Sequence, residues 1–270
     1  MGSDQPVVRQ WLTGEASYFA IFRHFFPSAS YDGRLALDLG ANRGFYTYYL
    51  AALGFEVHAF EIQSRMFKIL QHGLLFNDQE VADRVHLYRL GISDKHESMT
   101  NRLSDGCGHL APVQPGEMAS VHASTLDCFL DFLQQQKQTE KVVIDFLKMD
   151  IEGYEMAAFV GGLQFLEKVE VQSMWVEIGP SRWARSRVSI EGGLQILQHL
   201  RYYFRTVLVA LTEQPHCPMS LQATLGLSSP GTPHLVIQGV PLFEVSSAAW
   251  SVLVAVMEEG EHDCNFWFQQ

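Results

Sequence analysis

Several function classes are excluded by what this chain lacks. It has only four cysteines in 270 residues, Cys107, Cys128, Cys217 and Cys264, and no two form a C-x-x-C pair. That spacing argues against a zinc ribbon or a dithiol redox motif and reads as buried thiols in a reducing compartment. His109 and His122 have no second ligand at helix spacing, so no zinc site is expected there. Positive charge is scarce: 19 Lys and Arg stand against 30 Asp and Glu, a net charge of -11. A nucleic-acid surface needs basic stripes. The densest positive cluster, Arg182, Arg185 and Arg187, is too small for one. It reads as a solvated loop, or else as a group that steers an anionic part of a substrate. Long apolar runs are missing too. Ala248 to Met257 falls well short of the ~20 residues a bilayer crossing takes, and the polar opening, Met1 to Gln10, is unlike a secretory leader. The expectation is a soluble, cytoplasmic protein with no nucleic-acid and no membrane partner.

Two phosphate-binding signatures are also missing. There is no G-x-G-x-x-G, which would lay a pyrophosphate on a helix N-terminus, and no Gly-Lys-Ser/Thr after a glycine-rich turn. Instead the chain holds LALDLGANRGFYTYYLAALGFEVHAFE, Leu35 to Glu61. Leu35, Ala36, Leu37 and Leu39 form a short apolar run with the character of a strand buried on both faces, closed by Asp38. Gly40-Ala41-Asn42-Arg43-Gly44 follows as a turn, and glycine there lets a ligand come close to the backbone. Phe45 to Leu53 reads as a helix stopped by Gly54, and Phe55 to Phe60 as a second strand. Glu61 ends that strand about 20 residues beyond the turn, where a carboxylate can accept hydrogen bonds from a ribose diol. Asp38, at the first strand's tip, would repel phosphate but suits an ammonium group, directly or through water. A ribose, an amino-acid end and no phosphate together describe S-adenosylmethionine.

Further elements alternate. Helices are expected at Ser64 to Phe76, Thr125 to Gln136 (capped by Ser124), after Glu155, at Ile190 to Tyr203 and at Ser246 to Glu259. Strands are expected at Val85 to Leu90, Ser120 to Ala123, Val142 to Met149, Val171 to Ile178, Thr206 to Thr212, His234 to Val240 and Asn265 to Phe268. Lys95 to Glu117 reads as an irregular loop or a β-excursion, and Glu213 to Pro233 as a long loop. This order predicts one α/β domain with a doubly wound, mostly parallel sheet and helices on both faces. Residues 1–34 form an N-terminal helical segment, 35–178 a cofactor-binding core, and 179–270 the rest of the sheet with substrate-side loops. Ligands in such sheets bind at the strands' carboxyl ends. Gly40, Glu61, Ser93-Asp94, Asp150 and Glu177 all fall on that edge.

These motifs resemble the FkbM family of S-adenosylmethionine-dependent methyltransferases. The family's D-x-G-A-N-x-G is present as Asp38, Gly40, Ala41, Asn42 and Gly44. Phe60-Glu61 match its F-E-P, with Ile62 in place of the proline. Ser124-Thr125-Leu126-Asp127 match an S/T-L-D segment. Lys148-Met149-Asp150-Ile151-Glu152-Gly153-Tyr154-Glu155 carry K-x-D-x-E-G-x-E, and Trp175-Val176-Glu177 end the next strand. The resemblance covers Leu35 to Ile178. It implies a seven-stranded class I sheet whose last strand, Cys264 to Phe268, runs antiparallel beside Thr206 to Thr212. It also implies methyl transfer, most often to a hydroxyl on a small molecule.

On this reading Gly40, Ala41, Asn42 and Gly44 shape the turn, Asp38 faces the methionine end, Glu61 binds the ribose, Ile62 lies on the adenine and Ser93 near its edge. Asp150 sits where donor and acceptor meet, touching cofactor or substrate, or else caps the helix near Gly153. Glu152 and Glu155 favour the positive end of that helix. Lys148 points away from the site in a structural ion pair. Glu177 is a second candidate base. Asp150, Glu152 and Glu177 together offer a Mg2+ site, the less favoured option. The other classes of reading are a catalytically silent cofactor-binding module and a methyltransferase acting on protein or glycan.

Overall fold

Strands dominate the fold, and their spacing sets where the site falls. The structure is a computed structural model and describes residues 20–27, 31–104, 107–211, 217–219, 221–224, 233–237 and 240–270. Leu35–Leu39 (β1), Glu56–Phe60 (β2) and Val85–Tyr88 (β3) pair in parallel. Gly91–Ile92 (β4), Glu97–Ser104 (β5), Cys107–Pro112 (β6) and Val121–Ser124 (β7) form a separate sheet in the order β4-β7-β5-β6. Of the two readings of Lys95 to Glu117, the structure therefore takes the β-excursion: β5 and β6 are an antiparallel hairpin. Val143–Ile144 (β8) pairs with Glu170–Val171 (β10), on either side of Phe146–Met149 (β9) in the chain. Ser173–Ile178 (β11), Thr206–Ala210 (β12), Leu235–Ile237 (β13), Val240–Glu244 (β14) and Cys264–Gln269 (β15) complete the set.

The main sheet runs β13-β14-β12-β15-β11-β9-β1-β2-β3. Among the described residues it has nine strands where seven were implied, because β14 and β13 extend it antiparallel past β12. β15 is antiparallel to both of its neighbours, β11 and β12. β1 lies fully inside, which explains why Leu35, Ala36, Leu37 and Leu39 are apolar: both faces are covered, and its one polar residue, Asp38, is buried as well. One face is covered by a helical stretch at 20–25. There Phe22 is fully buried, with ring centroids 5.2 Å from Phe146 and 5.4 Å from Trp175. The other face packs against helices that include Leu126–Lys137, whose Leu126, Phe129, Leu130 and Leu133 form the apolar stripe. That helix is capped by Thr125, whose side chain accepts from Cys128 N at 3.1 Å; Ser124, the expected cap, is the last residue of β7.

The cysteine reading needs a correction. Cys217 and Cys264 form a disulfide, and Cys128 is an exposed free thiol. A partner 47 residues away leaves no trace in local spacing. No described helix is long and apolar enough to cross a membrane. Residues 1–19 and most of the loop expected at Glu213 to Pro233 lie outside the described residues.

Candidate functional site

The carboxyl ends of β1, β2 and β9 meet around a cleft enclosing about 540 Å³, its open mouth included. The turn after β1 forms one wall. Gly40 has φ +83°, and a Cβ built on it would stand 1.7 Å from the Asp150 carbonyl oxygen. Only glycine lets the two strand ends come this close. Gly40 N and Ala41 N both donate to Phe60 O, at 3.0 and 2.8 Å, so the turn is pinned to the end of β2. Asn42 sits in the left-handed region at φ +51°, which asparagine tolerates better than most residues.

The turn is also held from beneath. Lys148 Nζ donates to Gly40 O at 2.7 Å and lies 3.4 Å from Asp38 Oδ1. Thr47 Oγ1 donates to Asp38 Oδ2 at 2.6 Å. Asp38 and Lys148 are both buried. Lys148 is in a structural ion pair, as read from the sequence, but it lies directly under the turn rather than away from it. Asp38 is enclosed behind the turn and does not line the cleft. Ala41 and Gly44 also stand behind it, Gly44 against Tyr48 and Leu70.

Glu61 closes the next wall. Its carboxylate accepts from Asn42 N and from Gln63 N, each at 2.7 Å, and the residue is 4% exposed. Burial pushes its pKa up, against those two hydrogen bonds. Glu61 and Asn42 both line the cleft. Asn42 Oδ1 is buried there without a hydrogen-bond partner. Ile62 and Phe60 supply apolar surface beside Glu61, and Leu90, Ile92 and Leu110 face them. A Cβ on Gly108 would meet Gln63 Cγ at 2.3 Å, so β6 reaches the cleft edge only because that position lacks a side chain. Gln63, Ile92 and Leu110 were not singled out from the sequence, since two of them lie on the small second sheet. Ser93 is buried but outside the lining: its N donates to Ser124 O and its Oγ to Asp94 Oδ1.

Acidic groups gather at the remaining side. Asp150 lines the cleft, and Lys148 lies 3.9 Å away. No side chain caps the following helix, Asp150 included; Glu155, its first residue, instead holds the turn before it, accepting from Ile151 N at 2.9 Å and Gly153 N at 3.1 Å. Burial pushes the Glu155 pKa up to about 7. Glu152 also differs from the helix-end reading, because Arg182 Nη1 lies 2.8 Å from its Oε2. The same Nη1 is 3.3 Å from Glu177 Oε2, and Arg182 Nη2 pairs with Asp263. Burial, then Asp150 and Asp263, raise the Glu177 pKa well above the usual carboxylate range.

Arg182 is therefore the hub of a charge web, not part of a solvated loop. The fully buried Trp183 explains this: it anchors the 3-10 helix Pro180–Ser186 to the core and turns its neighbours toward Glu152. Arg185 Nη1 donates to Glu152 O at 3.0 Å. Two of the three carboxylates that offered a Mg2+ site are thus engaged by a guanidinium.

Comparison with known proteins adds one strong match. Residues 38–205 match the family model of the methyltransferase FkbM domain. No curated protein matches the chain. Similar solved structures include the FkbM methyltransferase of Methylobacillus flagellatus KT, 18% identical, covering 63% of this chain and 37% of that one, TM-score 0.40. An O-methyltransferase from Bacillus cereus with bound SAH is 12% identical over 95% of this chain and 81% of that one, TM-score 0.42. An rRNA methylase from Streptococcus thermophilus is 10% identical over 100% and 99%, TM-score 0.38. The chain thus spans little more than a third of the Methylobacillus protein.

Proposed function

The chain belongs to the FkbM family of S-adenosylmethionine-dependent methyltransferases, and from that premise we propose that it methylates a hydroxyl of a small molecule or sugar. The cleft suits the cofactor on its own terms. Glu61 offers two acceptor oxygens for a diol, Asn42 Oδ1 is a buried acceptor in need of a donor, and Gly40 brings the turn to the cleft wall. Ile62 and Leu110 offer apolar surface for a base, and among the described residues no cationic side chain lines the cleft to favour phosphate. S-adenosylmethionine, when bound, supplies an electrophilic methyl group.

The chain's own residues then have positioning and proton work to do. Holding two reactants in line removes much of the entropic cost of a bimolecular step. A hydroxyl is a poor nucleophile, and a carboxylate beside it accepts its proton as it reacts. Asp150 is that base in our reading, since it lines the cleft and Lys148 keeps a positive charge near it. Glu177 is the second candidate. It stands behind Arg182, which also aligns Glu152 at the cleft wall. Asp38 acts through Lys148 and Thr47 on the turn rather than on the ligand. Because Arg182 engages Glu152 and Glu177, the proposal uses no Mg2+, and activity should survive EDTA.

The observation that carries this proposal is the pair of buried acceptors, Glu61 and Asn42 Oδ1, in one cleft. Its test is incubation with methyl-labelled S-adenosylmethionine and separate pools of small hydroxyl compounds, glycans and proteins. Label moving into the first pool and lost in Asp150→Asn supports the proposal. Label confined to protein or glycan would replace the acceptor class, and cofactor binding without transfer to any pool would mark a silent module.

A further inference from the structure

We propose that Glu56, His58 and His86 form a second site, separate from the cleft, that binds a divalent transition-metal ion of the Zn2+ type. Glu56 and His58 are alternate residues of β2, so they leave the same face of the sheet. The β2–β3 register sets His86 directly beside His58. Three donor atoms result, all within 4.8 Å of one another. Glu56 Oε1 lies 3.4 Å from His58 Nε2 and 3.4 Å from His86 Nε2. A tetrahedral ion with bonds of about 2.0–2.1 Å holds its ligands roughly 3.3 Å apart. Both edges are therefore already close to the ligand spacing of such a site. Two imidazoles and one carboxylate are a Zn2+ donor set that leaves a fourth position for water.

The surroundings orient the donors. His58 Nδ1 is 2.8 Å from the Tyr88 hydroxyl; with the proton on Nδ1, the Nε2 lone pair faces Glu56. Such a partner on the far nitrogen is the usual support of a metal-bound histidine. Lys137 Nζ holds Glu56 Oε2 at 2.6 Å, which leaves Oε1, the oxygen facing both rings, for the ion. The rings of His58 and His86 are stacked, 4.6 Å between centroids and 22° between planes, so binding needs only a modest tilt. His58 is fully enclosed, while the side chains of His86 and Glu56 keep 35% and 28% of their exposure, giving a path in. The triad lies at the start of β2, and Glu61 follows that strand's other end. An ion here would tie β2, β3 and the end of the Leu126–Lys137 helix together.

The test uses the whole chain, stripped with chelator and then dialysed. Titration with Zn2+ should show one tight equivalent and raise the melting temperature, and Co2+ should give the visible absorption of a tetrahedral centre. His86→Ala and Glu56→Gln should each weaken Zn2+ binding by roughly 100-fold or more and abolish the Co2+ band, with S-adenosylmethionine affinity unchanged. If His86→Ala lowers the metal-free melting temperature, Glu56→Gln carries the comparison. No Zn2+ binding to the parent chain, or equal affinity in both variants, overturns the site.

Discussion

The Gly40 α-carbon faces the Asp150 carbonyl oxygen so closely that a Cβ would stand 1.7 Å from it. Two strand ends far apart in sequence are thus locked together by a missing side chain. Gly40→Ala must either push β9 away or abandon φ +83°. Left-handed strain and overpacking each cost about 1–3 kcal/mol. The variant should melt lower and bind S-adenosylmethionine at least about tenfold more weakly, a loss of about 1.4 kcal/mol or more. Thermal denaturation and calorimetry read both.

Glu155 makes stability depend on pH. Its pKa is raised from 4.5 to about 7 in the fold. The folded state therefore holds this proton more tightly than the unfolded chain. Its contribution is fully favourable below pH ~4.5 and is lost as pH rises through ~7. The total is on the order of 3 kcal/mol. Glu155→Gln keeps an acceptor for Ile151 N and Gly153 N but cannot ionise. Melting curves between pH 5 and 8 (a range chosen around about 7) should show a shallower decline in the variant than in the parent. Parallel curves would remove Glu155 as the cause.

Arg182 is shared by Glu152, Glu177 and Asp263. Removing this cation takes one charge from each of three acids, of which Glu152 keeps Arg185 3.7 Å away, and breaking a largely buried pair costs about 3–5 kcal/mol. With 26% of the Arg182 side chain exposed, we expect about 2 kcal/mol. Arg182→Met should also lower kcat more than it weakens cofactor binding, since the web borders the Asp150 side of the cleft. Arg182→Lys should restore part of the stability but not the forked contact to two partners. Equal losses in kcat and cofactor affinity would contradict this placement.

Phe22 tests the role of the helical stretch at 20–25. It is fully buried among Phe146, Trp175 and Trp267. Phe22→Ala should cost about 3–5 kcal/mol, measured by denaturant unfolding, with cofactor affinity retained in the folded fraction.

Local features of the sequence were the legible ones. Leu35 to Glu61 declares strand, turn, helix and strand because each signal is short-range, and the fold brings Gly40, Asn42, Glu61, Ile62 and Asp150 around one cleft. What was hidden depends on distant partners. Arg182 looks like a surface charge until Trp183 is seen to bury fully beside it. Asp150 reads by spacing as a cap for the helix near Gly153, yet the carboxylate that accepts from Ile151 N and Gly153 N ahead of that helix is Glu155, a contact set only by the folded turn. Ser93 is at the right strand end but turns toward Asp94. Leu110 reaches the cleft from a hairpin whose polar composition resembles a loop. The β13–β14 extension and the Cys217–Cys264 bond likewise rest on long-range pairing that periodicity does not encode.

The assignment of the cleft to a methyl donor depends on S-adenosylmethionine lying against Glu61. The most direct measurement is calorimetric titration of the whole chain with S-adenosylmethionine, in parallel with Glu61→Ala. Losing a buried charged acceptor costs about 1.5–3 kcal/mol, so the variant should bind at least about tenfold more weakly while keeping its fold. Equal affinity in the two proteins would contradict the assignment.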